Sequence, residues 1–174
     1  MNRVMVFVDG SNLYHALRTR FGRTDIDLGG LVQKLAAGRE LIRTYYYNCI
    51  VPREVNTEQY ARQQKFFCAL RLIPDFEVRL GHLVNNGGVY VEKGVDVQIA
   101  VDMVSRAYKN QFDVAVLVSA DADYERLVQE VKDCGKKVEV AHPGPCYALR
   151  SAADRFIELD DAFLQTCWIR ATNG

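Results

Sequence analysis

Val114-Ala115-Val116-Leu117-Val118, followed at once by Ser119-Ala120-Asp121-Ala122-Asp123, sets the pattern for the whole chain. Five consecutive apolar residues read as a strand covered on both faces, as strands are in a parallel sheet between helical layers. The small polar residues after them are a turn. Tyr124–Cys134 then reads as a helix closed by Gly135, a normal C-terminal glycine stop.

The same alternation extends in both directions. Upstream, Val95–Tyr108 is expected to be a helix with an apolar stripe of Val97, Ala100, Val101, Val104 and Tyr108. Downstream, Lys137–Ala141 is a strand, and Ala148–Ala153, Phe156–Leu159 and Ala162–Trp168 are small closing elements. At the start, Arg3–Val8 is a buried strand that breaks at Asp9-Gly10-Ser11-Asn12. A helix with Leu13, Ala16 and Leu17 follows and gives out near Phe21-Gly22. Asp27 is placed to N-cap a second helix reaching Ala37. Glu40–Val51, with Tyr45-Tyr46-Tyr47, reads as a strand stopped by Pro52, and Asn56 opens a helix to about Leu72. Asn85-Asn86-Gly87-Gly88 between Phe76–Val84 and Val89–Val91 is a hairpin signal, since Asn and Gly tolerate the positive φ angles of tight turns. Strands alternating with helices imply a three-layer α/β/α sandwich around a mainly parallel sheet. Residues 1–170 are expected to form one domain and 171–174 a flexible tail.

Composition narrows the function classes. The chain has 174 residues, 49% of them apolar and 25% charged, as in ordinary globular domains. Lysine plus arginine total 22 and so do aspartate plus glutamate, so the net charge is zero. That excludes coating nucleic acid by bulk charge, although not a local basic surface around an acidic site. The longest apolar runs fall far short of the roughly 20 residues of a spanning helix, so no membrane partner is expected. The first residues read as a strand and not as a signal peptide. The five cysteines are odd in number and include no CxxC pair, which fits a reducing cytoplasm better than a disulfide framework or a zinc site.

The chemistry lies in four aspartates. Asp9 ends the first strand, Asp121 and Asp123 follow the Val114–Val118 strand, and Asp96 opens a helix after Lys93-Gly94. Ligands of open α/β sheets bind beyond the carboxyl ends of strands where strand order reverses. If the two strands are neighbours, their acids share one mouth. Crowded carboxylates repel one another unless a cation neutralises them. An all-oxygen set calls for Mg2+ or Mn2+ in preference to zinc. Such an ion can activate water and stabilise charge at a phosphate, so metal-assisted phosphodiester hydrolysis is the inferred reaction class. A single aspartate between strand and helix is commonly only an N-cap, which accounts for Asp121 or Asp123 but not easily for both. Asp96 shares a helical face with Ile99, Ala100 and Met103, a poor place for a solvated charge. Asp102 is expected to be a structural hydrogen bonder, and His15, His82 and His142 to be surface or locally bonded. Neither GxxxxGK[ST] nor GxGxxG nor GxSxG occurs. Asp121-Ala122-Asp123 also has the DxD form of aspartyl-phosphate phosphatases, but there the pair follows an early strand.

Val6-Phe7-Val8-Asp9-Gly10-Ser11-Asn12-Leu13 resembles the opening motif of NYN-domain proteins, the LabA-like branch of the PIN-like nuclease superfamily. Lys93-Gly94-Val95-Asp96-Val97 with Ala100-Val101-Asp102-Met103 resembles the second motif. Leu117–Tyr124 resembles the third, usually written SGDGDF, with Ala120 and Ala122 where glycines are usual and Tyr124 where phenylalanine is usual. Gly135–Val140 and Leu149–Ile157 resemble the closing strand and helix. The resemblance implies a PIN-like fold and a metal-dependent endoribonuclease. It makes Asp9, Asp96, Asp121 and Asp123 the catalytic, metal-binding acids and Asn12 and Ser119 positioning groups. A non-catalytic module binding RNA or a partner is the alternative, and a phosphatase of small phosphate esters a more distant one. For RNA, the candidate contacts are Arg18, Arg20 and Arg23, then Arg53, Arg62 and Lys65, with Lys93 near Asp96 and with Tyr14 and Tyr124 stacking on bases. Most of the arginines are expected to be plain solvated surface. Edge strands and the Trp168 region are where a second copy could pair in a homodimer.

Overall fold

The computed structural model describes residues 2–169; the expected tail at 171–174 lies outside them. The chain runs β1 (Arg3–Asp9), α1 (Gly10–Phe21), α2 (Leu28–Ala36), β2 (Glu40–Ile50), α3 (Thr57–Arg71), β3 (Phe76–Asn86), β4 (Val89–Lys93), α4 (Val95–Tyr108) and β5 (Val114–Val118). It continues with a 3-10 turn at Ala122–Tyr124, α5 (Glu125–Asp133), β6 (Lys137–His142), α6 (Tyr147–Ala152), β7 (Arg155–Glu158) and α7 (Asp161–Leu164). The seven strands form one sheet in the order β4-β3-β2-β1-β5-β6-β7. Only the β3–β4 pair is antiparallel.

The apolar runs of β1 and β5 work as two-faced strands. Val4, Val6, Val8, Val114, Val116 and Val118 point into one core with α1, α2, α3 and α7. Met5, Phe7, Ala115 and Leu117 point into the other with α4, α5 and α6. Period-two alternation thus feeds both layers, which is why these strands carry hardly a polar residue. Tyr45, Tyr46 and Tyr47 are buried strand residues, as their alternation suggests. The expected caps are present. Asp27 accepts from Gly30 N and Asn56 from Gln59 N. The hairpin turn uses Gly87 and Gly88 at φ 63° and 91°, as a two-residue loop with matched twist requires.

One expectation changes. The stripe expected on α4 is only partly its core face: Ala100 and Val104 pack at the edge of the core, but its centre lies elsewhere. Val95, Ile99, Met103 and Ala107 are buried, whereas Val97, Val101 and Tyr108 lie exposed on the opposite side. Both sets have helical spacing, and the bulkier Ile99 and Met103 face the sheet. The helix expected at Tyr124–Cys134 is present as α5, and the turn before it closes as a 3-10 turn in which Asp121 caps Asp123 N. The Trp168 region folds back on its own chain: its ring meets Phe21 at 5.6 Å, lies 4.5 Å from the Arg23 guanidinium, and Trp168 bridges to Ile26. Asp102 is the structural bonder expected, accepting from Tyr47 at 2.9 Å and pairing with Arg106 at 3.0 Å.

One ion pair fastens the layers. Arg39, after α2, holds Glu139 of β6 through two bonds of 2.9 Å, both side chains mostly buried. Removing one partner of a buried pair strands the other charge. Glu139→Ala is therefore expected to destabilise the fold by about 3 kcal/mol, measured by chemical denaturation.

Candidate active site

β1 and β5 lie side by side, Val8 opposite Val118, so Asp9 and Ser119 leave the sheet together. From β1 the chain order runs outward through β2 and β3 on one side and through β5, β6 and β7 on the other. The crevice between β1 and β5 is the point where strand order reverses. A cleft of about 730 Å³ opens there.

Asp9 is its deepest acid, only 6% exposed. Its Oδ1 accepts from Asn12 N at 3.1 Å, capping α1, while Oδ2 lies 3.3 Å from both Ser119 Oγ and Tyr124 Oη. Tyr124 Oη also reaches Asp96 Oδ1 at 3.1 Å. One phenolic proton thus stands between two carboxylates and can serve only one at a time. Burial pushes the Asp9 carboxyl up to about 6, against the pull of its hydrogen bonds from Asn12 and Ser119, and the Asp96 charge pushes the same way. Among the described residues neither Asp9, Asp96 nor Asp121 has a lysine or arginine in an ion pair.

The polar groups around Asp9 lock the motifs together. Asn12 Oδ1 accepts from Ala120 N at 3.1 Å, tying α1 to the turn after β5. Ser119 is buried, and its Oγ also accepts from Asp121 N at 3.2 Å. Asp121 lines the cleft but turns Oδ1 to cap Asp123 N at 3.0 Å. Neither Ala120 nor Ala122 has positive φ, so the turn tolerates alanine at both positions.

The sequence-derived site residues divide accordingly. Asp9, Asp96, Asp121 and Asn12 line the cleft, and Ser119 lies behind Asp9. Asp123 is exposed and off the cleft wall, because its place in the tight turn carries it outward. Tyr124 does not offer a stacking face. It is buried with its hydroxyl between Asp9 and Asp96. Lys93 and Arg18 are exposed outside the cleft, whereas their neighbours Glu92 and Arg20 are on its wall. Arg23 is engaged with Asp25 and Trp168.

Glu92, His15 and His142 also line the cleft without a motif to announce them. Asn12, His15, Ala16 and Thr19 make one helical stripe on α1, a polar periodicity that marks its cleft-facing side. Glu92 reaches the cleft from β4, which turns back along β3, and accepts there from Ser11 Oγ of α1 at 3.1 Å.

These contacts join the ends of β1 and β5 to the start of α4 in one acidic cleft, and the NYN domain model matches residues 3–160. The chain belongs to the NYN domain family. This NYN domain is 26% identical over 168 residues to "Low amplitude and bright protein LabA" of Synechococcus elongatus, spanning 92% of this chain and 85% of that protein. It is 27% identical over 164 residues to the uncharacterized protein MJ0482 of Methanocaldococcus jannaschii, covering 93% of this chain but only 57% of that protein's length. A Vibrio parahaemolyticus protein of unknown function, VPA0982, has a crystal structure that superposes with a TM-score of 0.76 at 26% identity over 94% of this chain and 96% of that one. The NYN domain therefore has the PIN-like α/β fold. Among the described residues no helix is long and apolar enough to cross a membrane.

Proposed function

We propose that this NYN domain is a divalent-metal-dependent endoribonuclease. The observation that carries the reading is the convergence of Asp9 and Asp96 on one phenol, at the sheet's switch point, with no lysine or arginine ion-paired to either among the described residues. A buried carboxylate (Asp9) kept close to a second acid without a counter-charge costs stability, which suits a site that receives its cation from solution. The donors are all oxygens. Among the described residues no three acidic, histidine or cysteine side chains form a ready-made metal cage. That pair fits Mg2+ or Mn2+, which keep several waters and use one or two carboxylates.

Asp9 and Asp96 would hold the ion, which would supply charge to activate water and to stabilise the phosphate under attack. Asp121 faces the same space and would orient water. Asn12 and Ser119 hold the acids and the turn in place. An adjoining cleft of about 610 Å³, lined by Tyr14, Tyr46, Asn48, Arg62 and Phe66, shares Ser11, His15 and Glu92 with the first. It offers an RNA strand continuous room beside the acids, with Tyr14 open for stacking. Lys93 and Arg18, outside the cleft, are placed for flanking phosphates, and Asp123 is left without a direct role.

Incubation of the protein with end-labelled single-stranded and structured RNA tests the proposal. Internal cleavage with Mn2+ or Mg2+, abolished by EDTA, is the expected result. Asp121→Asn keeps the cap on Asp123 N and is expected to slow cleavage about 10- to 100-fold, as groups that tune a metal site do. A non-catalytic RNA-binding module is the second reading, favoured by the turn of Asp121 Oδ1 toward its own loop. Tight binding without products would establish it.

A further inference from the structure

The acidic cleft also carries a group of different chemistry, at the end of the strand beside β5. His142 ends β6, is only 6% exposed, and lines the cleft. Its Nδ1 accepts from Gly144 N at 3.0 Å. The same Nδ1 lies 3.2 Å from Gly144 O, but the shorter contact is to a backbone amide, which always presents its hydrogen, and on that ground we assign Nδ1 as the unprotonated nitrogen of the ring. Burial lowers the His142 pKa, against the opposing contact with Gly144 and with help from the charge of Arg20, which favours the neutral ring. A neutral ring with bare Nδ1 carries its proton on Nε2. Among the described residues Nε2 has no hydrogen-bond partner, and it is not among the fully enclosed polar atoms. Arg20, from α1, donates to Pro143 O and holds Glu158 at 3.0 Å, so the segment carrying His142 is anchored across the mouth of the cleft.

We propose that His142 Nε2–H is a substrate-binding donor that takes a non-bridging phosphate oxygen inside the cleft that the acids line. A neutral donor suits this place. A second permanent cation beside Arg20 would pair with the carboxylates and close the cleft, whereas an N–H dipole grips an anion without competing for them. The assignment deepens the nuclease reading and rests on it for the identity of the ligand as RNA. The donor itself is testable with phosphate alone.

The test uses the full chain labelled with 15N-histidine and titrated with inorganic phosphate in EDTA. His142 should show the Nε2–H tautomer, and its Nε2 signal should move while that of His82, which does not line the cleft, stays still. Two substitutions separate binding from packing. His142→Asn places an acceptor near Nδ1 and preserves the Gly144 contact, but has no donor at the Nε2 position. It should fold normally and bind phosphate and labelled RNA roughly 10-fold more weakly. His142→Gln places its amide N–H where Nε2 stands and should retain most of the binding. An Nδ1–H tautomer, an unmoved Nε2 signal, or unchanged affinity in His142→Asn overturns the assignment. A phosphate response in a protein that does not cleave RNA upholds the subsite and removes the nuclease reading alone.

Discussion

Asp9→Asn is expected to abolish RNA cleavage and, at the same time, to make the metal-free protein more stable. Asp9 has the one carboxylate that touches Asn12, Ser119 and Tyr124 together, and its loss takes away the deepest ligand of the site. Asparagine keeps an oxygen for the Asn12 cap and offers an amide to the hydroxyls, so the fold has no reason to suffer. The gain follows from the pKa. The native carboxyl keeps its proton to about pH 6, whereas an unfolded one loses it near 3.8. Between those values the native state binds more protons, so stability falls as pH rises through the window and the deficit is complete above it. The difference corresponds to about 3 kcal/mol at neutral pH. Denaturation in EDTA should show wild type losing stability from pH 4 to 6.5, with Asp9→Asn flat across that range and more stable at pH 7. Asp113, held at about 2 by Arg3, acts in the opposite sense and at lower pH, so the two are separable. Added Mn2+ should raise the melting temperature of wild type and leave that of Asp9→Asn unmoved. Equal stability of the two proteins at pH 7 would contradict the buried, uncompensated carboxylate on which the site is built.

Gly10→Ala is expected to be strongly destabilising for so small a substitution. A Cβ at Gly10 would stand 2.3 Å from Tyr46 Cζ and 2.7 Å from Tyr47 O. Tyr46 is buried and Tyr47 O belongs to the β2 backbone, so neither has room to retreat. Overpacking of this kind costs about 3 kcal/mol, roughly 10 °C in melting temperature for a domain of this size. Since Gly10 follows Asp9 directly, the strain should also displace the carboxylate, and cleavage should fall together with stability. A melting temperature within about 2 °C of wild type would show that β2 can give way and that the close approach is not essential.

Where the site stands was legible in the sequence to different depths. Asp9 and Asp121 declare themselves, because an acid after a buried strand and before a helix lies where α/β sheets bind ligands. Asp96 is exposed, contrary to the expectation drawn from its spacing to Ile99 and Met103, and reaches the cleft because it stands in the first turn of α4. Asp123 and Tyr124 were not legible, because a 3-10 turn in place of an immediate α-helix rotates one outward and the other inward. Glu92, His15 and His142 have no local signature, since they meet only when β4, α1 and β6 converge.

Local chemistry is therefore enough to specify the alternation of strands and helices, the Asp27 and Asn56 caps and the Gly87-Gly88 turn. Each depends on neighbours within a few residues, through φ preferences, capping and side-chain period. Which of two apolar stripes α4 buries, and whether Trp168 is covered by its own chain or another, depends on surfaces brought together from far along the chain. The same holds for the raised pKa of Asp9. An aspartate following a strand is unremarkable in isolation, and it becomes a strained, proton-retaining group only when Ser119, Tyr124 and Asp96 close around it and shut out water.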